Sequence, residues 1–534
     1  MTRRAVGLIV LASALVITQL SPAAPRSGGT FLVDEPATYI DSIDAAQASL
    51  AGDFFLPTVC ASLLVLPDKP LPAGYRPAPD LAAGLPKVSR DGKTYVFKVR
   101  RGLRFSTGAP VRAADVAYTI NRFLNPTLRS PSSQVFAEIA GADDVLAGKA
   151  KTASGIRAAG NRLTIRLTHA DGGFLDAAAL SLCVLPAGLP TEPGGLTAPV
   201  PSAAPYFISE YVPGQRLVLT RNRFYRGSRP HHIDRFVFNL TVGDSQALDD
   251  VLTGKADFAW VPNTSFASRA ADFAQRFGVN KQRFFVKPAT FLRLFVLNAS
   301  RPLLRNNTPL RRAINVAIDR PALIRQVAPY SGTPVDHYLL PVMPGYRHTH
   351  VYPLRRPNVV RARALARGHT RSGKLVLYVP ARPAATAQAQ IVKQDLKAIG
   401  LDVRVETFPA GAGYFQKLAN RKEPFDMAWI GWQTVFPDPG AFLDQLFDGR
   451  AIGKPGNANY SYFNSPKWNR ALYRALRLSG NTRYRAYGRL DVDLAREEAP
   501  AVAYSVDNAL TFVSSRTHCV IANPYLDLAA ICLK

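Results

Sequence analysis

Few residues of this 534-residue chain are spaced for chemistry. It has no Gly-x-Ser-x-Gly elbow, no His-Glu-x-x-His pair and no G-x-x-x-x-G-K-S/T phosphate loop. Gly92-Lys93-Thr94 lacks the upstream glycine, so any ATP hydrolysis is left to a partner. His231-His232 and His348-Thr349-His350 could pair on a metal, but such pairs without further ligands are usually solvated loop residues. The reading is a binding protein, not an enzyme, with no metal or other cofactor. The stretch that suggests binding is Phe425 to Leu443, FDMAWIGWQTVFPDPGAFL. Met427 to Ile430 reads as a buried strand, Gly431-Trp432 breaks it, and Pro437 to Gly440 turns into a helix beginning near Ala441. An aromatic loop between a strand and a helix N-terminus offers flat apolar walls, free backbone N–H groups and a favourable dipole. Equally, the same residues could be a core strand and a surface turn.

The elements around it must build more than one core, because 534 residues exceed what one domain buries. Apolar content of 47% with 19% charged residues is globular. Lys and Arg number 66 against 38 Asp and Glu, a net charge of +28. The densest basic run, Arg355 to Arg371, holds no interleaved aromatics, which a base-stacking groove wants, so no nucleic acid is expected. Arg3 and Arg4 precede an apolar run from Ala5 to Leu20, then Ser21-Pro22-Ala23. That run is short for a membrane span and reads as an export signal over residues 1–24, cleaved or retained as an anchor. The mature chain is then extracytoplasmic, periplasmic or at the cell surface. Export makes the four cysteines disulfide candidates, with three pairings open. Cys519–Cys532 closes the shortest C-terminal loop, worth about 3 kcal/mol in the loop-entropy model, and leaves Cys60–Cys183. Free buried thiols are the alternative.

Along the chain, Phe31-Leu32-Val33 follows Gly28-Gly29-Thr30 as a first strand, and Ala48 to Leu66 reads as a helix broken at Pro57. Asp91-Gly92 is a hairpin signal, after which Tyr95, Phe97 and Val99 alternate with polar residues. Ala113 to Leu124 has helical spacing, and Ile156 to Leu167 reads as another hairpin. Ala247 to Leu252 is a helix ended by Gly254. Strand Leu375 to Val379, helix Ala387 to Ile399 and strand Leu401 to Val405 form a β-α-β unit and so a parallel pair.

Several motifs fall in an order that resembles the extracytoplasmic solute-binding proteins of ABC importers, family 5, the peptide and nickel type. They are Gly28-Gly29-Thr30, Pro79-Asp80-Leu81-Ala82, the run from Asp91 through Val116, Pro205-Tyr206, Arg221-Asn222, Arg311-Arg312-Ala313-Ile314, Ala317-Ile318-Asp319-Arg320, Gly431-Trp432 with Asp438-Pro439 and Phe442-Leu443, and Asn459-Tyr460-Ser461. The resemblance implies an α/β, two-lobed periplasmic-binding-protein-like fold of type II, with an extra subdomain in the first lobe and a hinge between lobes. It implies residues 25–61 and 191–285 in the first lobe, 62–190 in the subdomain, 286–498 in the second lobe and 499–534 returning to the first. Many family members carry a lipid-modified Cys after the signal; here Pro25, Arg26 and Ser27 stand there.

The implied function is capture of an oligopeptide or peptide-like solute between the lobes by a monomer, for delivery to a membrane permease and its ATPase. The implied ligand walls are Trp432, Val435, Phe436 and Tyr460, with Asn459 and Asn298 as polar contacts. Peptide-binding members carry an Asp that pairs with the peptide ammonium where this chain has Val435. Unless Asp34, Glu35 or Asp438 substitutes, a free amino terminus is not the main anchor. A blocked peptide, a glycoside or an anion would then suit the site, or the loop is shifted and Asp438 pairs instead. A further alternative is a secreted basic protein on envelope polyanions.

Overall fold

The computed structural model describes residues 27–40, 42–48, 54–433, 438–453, 458–523 and 526–534, with the side chains of 178–181 set aside. The expected signal segment lies outside them. Among the described residues no helix is long and apolar enough to cross a membrane.

Two large sheets carry the molecule. The first has five strands in the order Phe258–Ala259, Thr30–Asp34, Arg235–Asn239, Arg216–Arg221 and Tyr206–Val212. Its first three strands run parallel, and the last two complete an antiparallel meander. Phe31 and Val33 point into one core with Phe236, Phe238 and Leu219. Helix Asp244–Thr253 packs Ala247, Leu248 and Val251 into a second core. It stops where Gly254 takes a left-handed conformation, φ +84°, that favours glycine.

The second large sheet has six strands in the order Gly332–Pro334, Ala501–Phe512, Phe284–Leu297, Met427–Gln433, Lys374–Pro380 and Asp402–Phe408. The expected β-α-β unit is there: Lys374–Pro380 and Asp402–Phe408 pair in parallel, joined by helix Pro383–Lys397.

The antiparallel pair Phe284–Leu297 and Ala501–Phe512 links the lobes. Phe284 and Phe512 belong to the core built on helix Asp244–Thr253, whereas Leu292 to Leu297 and Ala501 to Ala503 belong to the core of the second lobe. The ladder is broken by register shifts between Pro288 and Leu292. A long strand pair shared by two cores and interrupted by a bulge is a hinge-like connection. The segment after 499 runs from the core of the second lobe, with Ala501 to Ala503, into the core built on helix Asp244–Thr253 at Leu510 and Phe512. Ala501–Phe512 is a full strand of the second lobe's sheet, and the chain rejoins the first lobe through the Phe258–Val513 bridge.

The subdomain is a four-stranded sheet, Lys87–Val88, Thr94–Lys98, Arg162–Arg166 and Ile156–Ala159, packed on helix Ala113–Phe123. Tyr95 and Phe97 are buried and Lys98 is exposed, as alternation predicts. The helix expected from Ala48 to Leu66 is only one turn, Leu56–Val59, followed by strand Leu64–Val65; residues 49–53 lie outside the described set. Pro57 sits in that first turn, where its missing N–H costs nothing. Both expected disulfides, Cys60–Cys183 and Cys519–Cys532, are present. The first ties the subdomain's end to the first lobe.

Candidate ligand-binding cleft

Parallel strands of an open α/β sheet leave a crevice beyond their carboxyl ends. In the first lobe Asp34 stands level with Asn239 and Ala259. The next residue of each strand is Glu35, Leu240 and Trp260. Glu35 N–H donates to the Asn239 carbonyl and Trp260 N–H to the Asp34 carbonyl, both at 3.0 Å. Side-chain alternation places Glu35 on the face of Phe31 and Val33, beside Phe238 and Phe258. Phe54 stacks flat on Trp260 with centroids 4.6 Å apart and planes 6° from parallel, and it also meets Phe258 at 5.2 Å.

Glu35 is the anomaly of this aromatic corner. It is 0% exposed, and neither carboxylate oxygen has a hydrogen-bond partner. Burial alone pushes its carboxyl up to about 8. Asp34 faces the other way. It accepts a hydrogen bond from Asn239 Nδ2 at 3.2 Å, and burial raises it to about 6 against that bond, with Asp250 adding repulsion.

In the second lobe, strand Met427–Gln433 faces Phe284–Leu297, with Gly431 level with Arg293 and Trp432 with Leu292. Arg293 lies over the Phe291 ring at 4.0 Å and pairs with both oxygens of Asp507. A Cβ on Gly431 would run into the Phe291 ring, so glycine is required for this close approach. Trp429 is a core residue whose Nε1 donates to Gln388 and Tyr504.

The expected wall residues fall into three groups. Trp432 and Tyr460 are half-buried. Trp432 Nε1 donates to the Ala441 carbonyl at 2.9 Å, and the Tyr460 ring lies 6.1 Å from Phe415. Val435 and Phe436 lie outside the described residues.

Asn298, Asn459 and Asp438 form the third group, and all three are engaged inside the chain. Asn298 Nδ2 donates to the Phe425 carbonyl while its oxygen accepts from Ser300. Asn459 Nδ2 donates to the carbonyls of Asp448 and Phe463. Both are fully buried, and these bonds bracket the loops they join. Asp438 is 1% exposed; Arg483 Nε donates to its Oδ2 at 2.8 Å and Nη2 to its Oδ1 at 2.6 Å, and the Gly440 N–H donates to Oδ1 as well. Three donors, two from a guanidinium and one from a helix start, thus hold this buried carboxylate inside the chain. Sequence reasoning did not single out Phe54, Trp260 or Arg483. For the first two the one signal was that they flank the strand ends of the first lobe.

Of the expected metal candidates, His231 packs edge-on against Tyr225 and His348 against Tyr346. Among the described residues no group of three or more His, Cys, Asp or Glu is placed to hold a metal.

A family model for bacterial extracellular solute-binding proteins, family 5, matches residues 76–454. The chain belongs to that family. Members are binding proteins rather than enzymes, and the family is extracytoplasmic. This family-5 protein is 22% identical over 463 residues to the periplasmic oligopeptide-binding protein OppA of Escherichia coli (strain K12), covering 81% of this chain and 80% of that one. It is 21% identical over 429 residues to the dipeptide-binding protein DppE of Bacillus subtilis (strain 168), covering 73% and 72%. Its fold matches that of clavulanic acid biosynthesis oligopeptide binding protein 2 with a TM-score of 0.81 at 22% identity, over 95% of this chain and 96% of the other. The family-5 fold, two α/β lobes and a hinge, is thus the fold of this chain.

Proposed function

We propose that this family-5 protein is the receptor of an ABC import system, capturing an oligopeptide or peptide-like solute between its lobes for a membrane permease and ATPase. The observation that carries the reading is the aromatic corner of Phe54 and Trp260 at the carboxyl ends of three parallel strands of a two-lobed fold. Relatives named for oligopeptide and dipeptide binding support the ligand class. On the second lobe we assign Trp432 and Tyr460, both half-buried, to the ligand wall, and from the sequence alone Val435 and Phe436. The export signal of residues 1–24 delivers the chain outside the cytoplasm, without a lipidated Cys after it, and the mature protein works as a monomer.

Val435 replaces the carboxylate that pairs with a peptide ammonium in the peptide-binding members this chain resembles. The second lobe therefore selects by shape and apolar contact rather than by that charge. The test is isothermal titration calorimetry of the signal-free protein with a set of di- to pentapeptides at low and high salt. Binding that survives high salt supports an enclosed ligand, because enclosed contacts are screened little. Binding only to polyanions, collapsing as salt rises, would overturn the reading in favour of envelope adhesion.

A further inference from the structure

We infer that Glu35 is the residue on which the ligand of this protein docks a cationic group, a primary ammonium or a guanidinium. The inference rests on the receptor reading above and names what the first lobe recognises.

Three carboxylates stand near enough in sequence to the cleft to replace the one lost at Val435: Asp34, Glu35 and Asp438. Asp438 is held on two edges by Arg483. Asp34 lies on the opposite face of its strand, bonded to Asn239. Glu35 is fully buried, and neither of its oxygens meets a donor. Buried polar groups are almost always partnered, because leaving one unpaired forfeits its hydration with no return. A buried, unpaired carboxyl just past the carboxyl end of a parallel strand is what a site looks like when its partner is a ligand.

The surroundings select the partner's charge. Phe54 and Trp260 share one core with Phe31, Val33 and Phe258, on the face where strand alternation places Glu35, and aromatic ring faces attract cations as well as apolar groups. Phe238, Leu240 and Phe258 complete the face and carry no charge. Asp34 and Asp250 lie on the other side of the sheet, and no charged group among the described residues acts on Glu35; burial alone raises it. Without a ligand the carboxyl therefore keeps its proton at neutral pH. A cation seated against it restores the ionised form and makes charge-assisted hydrogen bonds. The proton leaves to solvent as the cation arrives, so charge balances.

The experiment is calorimetry of the signal-free protein with tetrapeptides that differ only in lysine against norleucine, or in a free against an acetylated amino terminus. It is run at pH 7 in two buffers of different ionisation heat, for the native sequence and for Glu35→Gln. The native protein should prefer one cationic form by roughly ten- to a hundredfold, the span of one charge-assisted bond, and release about one proton per cation bound. In Glu35→Gln the preference should fall below about threefold and the proton release should vanish. Thermal unfolding of the variant checks that it is folded. Equal affinity for charged and neutral forms in the native protein, or proton release that persists in the variant, would overturn the assignment while leaving the peptide receptor intact. Binding of no peptide at all would overturn the receptor reading and this inference with it.

Discussion

Arg483 grips Asp438 through two hydrogen bonds, Nε to Oδ2 at 2.8 Å and Nη2 to Oδ1 at 2.6 Å, with both side chains buried. Arg483 lies in helix Gly480–Glu497, and Asp438 stands just before helix Gly440–Phe447. The remaining guanidinium nitrogen donates to the carbonyls of Ala475 and Leu476, so the end of helix Pro466–Leu476 is held as well. One guanidinium thus fixes the start of helix Gly440–Phe447 against the end of helix Pro466–Leu476.

Removing either partner leaves the other charged and buried. Arg483→Met and Asp438→Asn should each cost about 3–5 kcal/mol in urea unfolding. Arg483→Lys should recover little, because an ammonium cannot span both oxygens. A loss under about 1 kcal/mol would mean that the pair is dispensable.

Next to that pair, burial pushes Asp444 to about 8, against a hydrogen bond from Tyr487 and the Arg483 charge. Asp176 is likewise pushed to about 8, by burial first and the Asp438 charge second, and accepts a bond from Tyr484. Both carboxyls hold protons in the folded chain that they shed when it unfolds near neutral pH. Their contribution is complete below the ordinary aspartate range near 4 and disappears as pH rises through about 8. Thermal unfolding from pH 5 to 9 should show falling stability, and Asp444→Asn should flatten the fall. A profile rising over that range would contradict the assignment.

The two disulfides should differ in weight. Cys60–Cys183 spans 123 residues and Cys519–Cys532 spans 13. Loop-closure entropy assigns them about 5 and about 3 kcal/mol. Paired serine replacements, compared by chemical unfolding, should follow that order.

Trp260 stacks on Phe54 and Trp432 is half-buried, whereas Trp429 and Trp468 are buried in the second lobe. A ligand entering the corner should change the fluorescence of Trp260. In a Trp432→Phe background, Trp260→Phe should remove most of the change while peptide binding, read by calorimetry, weakens about tenfold or less. An undiminished signal would place the ligand elsewhere.

Much of the scaffold was legible because it is local. Asp91-Gly92 followed by alternating Tyr95 and Phe97 specifies its hairpin without help from distant residues, and Gly254 ends its helix by its own backbone freedom. The β-α-β unit follows from the switch in period between Leu375 and Val405. The mostly apolar residues 501–506 fit either lobe in sequence; their pairing with Phe284–Leu297 is what seats the strand in the six-stranded sheet.

The site was less legible for the same kind of reason. Asn298 and Asn459 look like polar ligand contacts in sequence, yet their amides are consumed by carbonyls brought from other loops. Asp438 is spent on an arginine 45 residues away. Glu35 is notable only for the partner it lacks, and a missing partner has no sequence signature.

Native followed by denaturing mass spectrometry of the signal-free protein tests the central claim most directly. The account predicts co-purified oligopeptides carrying a basic group, released on unfolding and lost from Glu35→Gln. A single non-peptide mass, or an empty protein that no peptide library shifts in thermal unfolding, would contradict it.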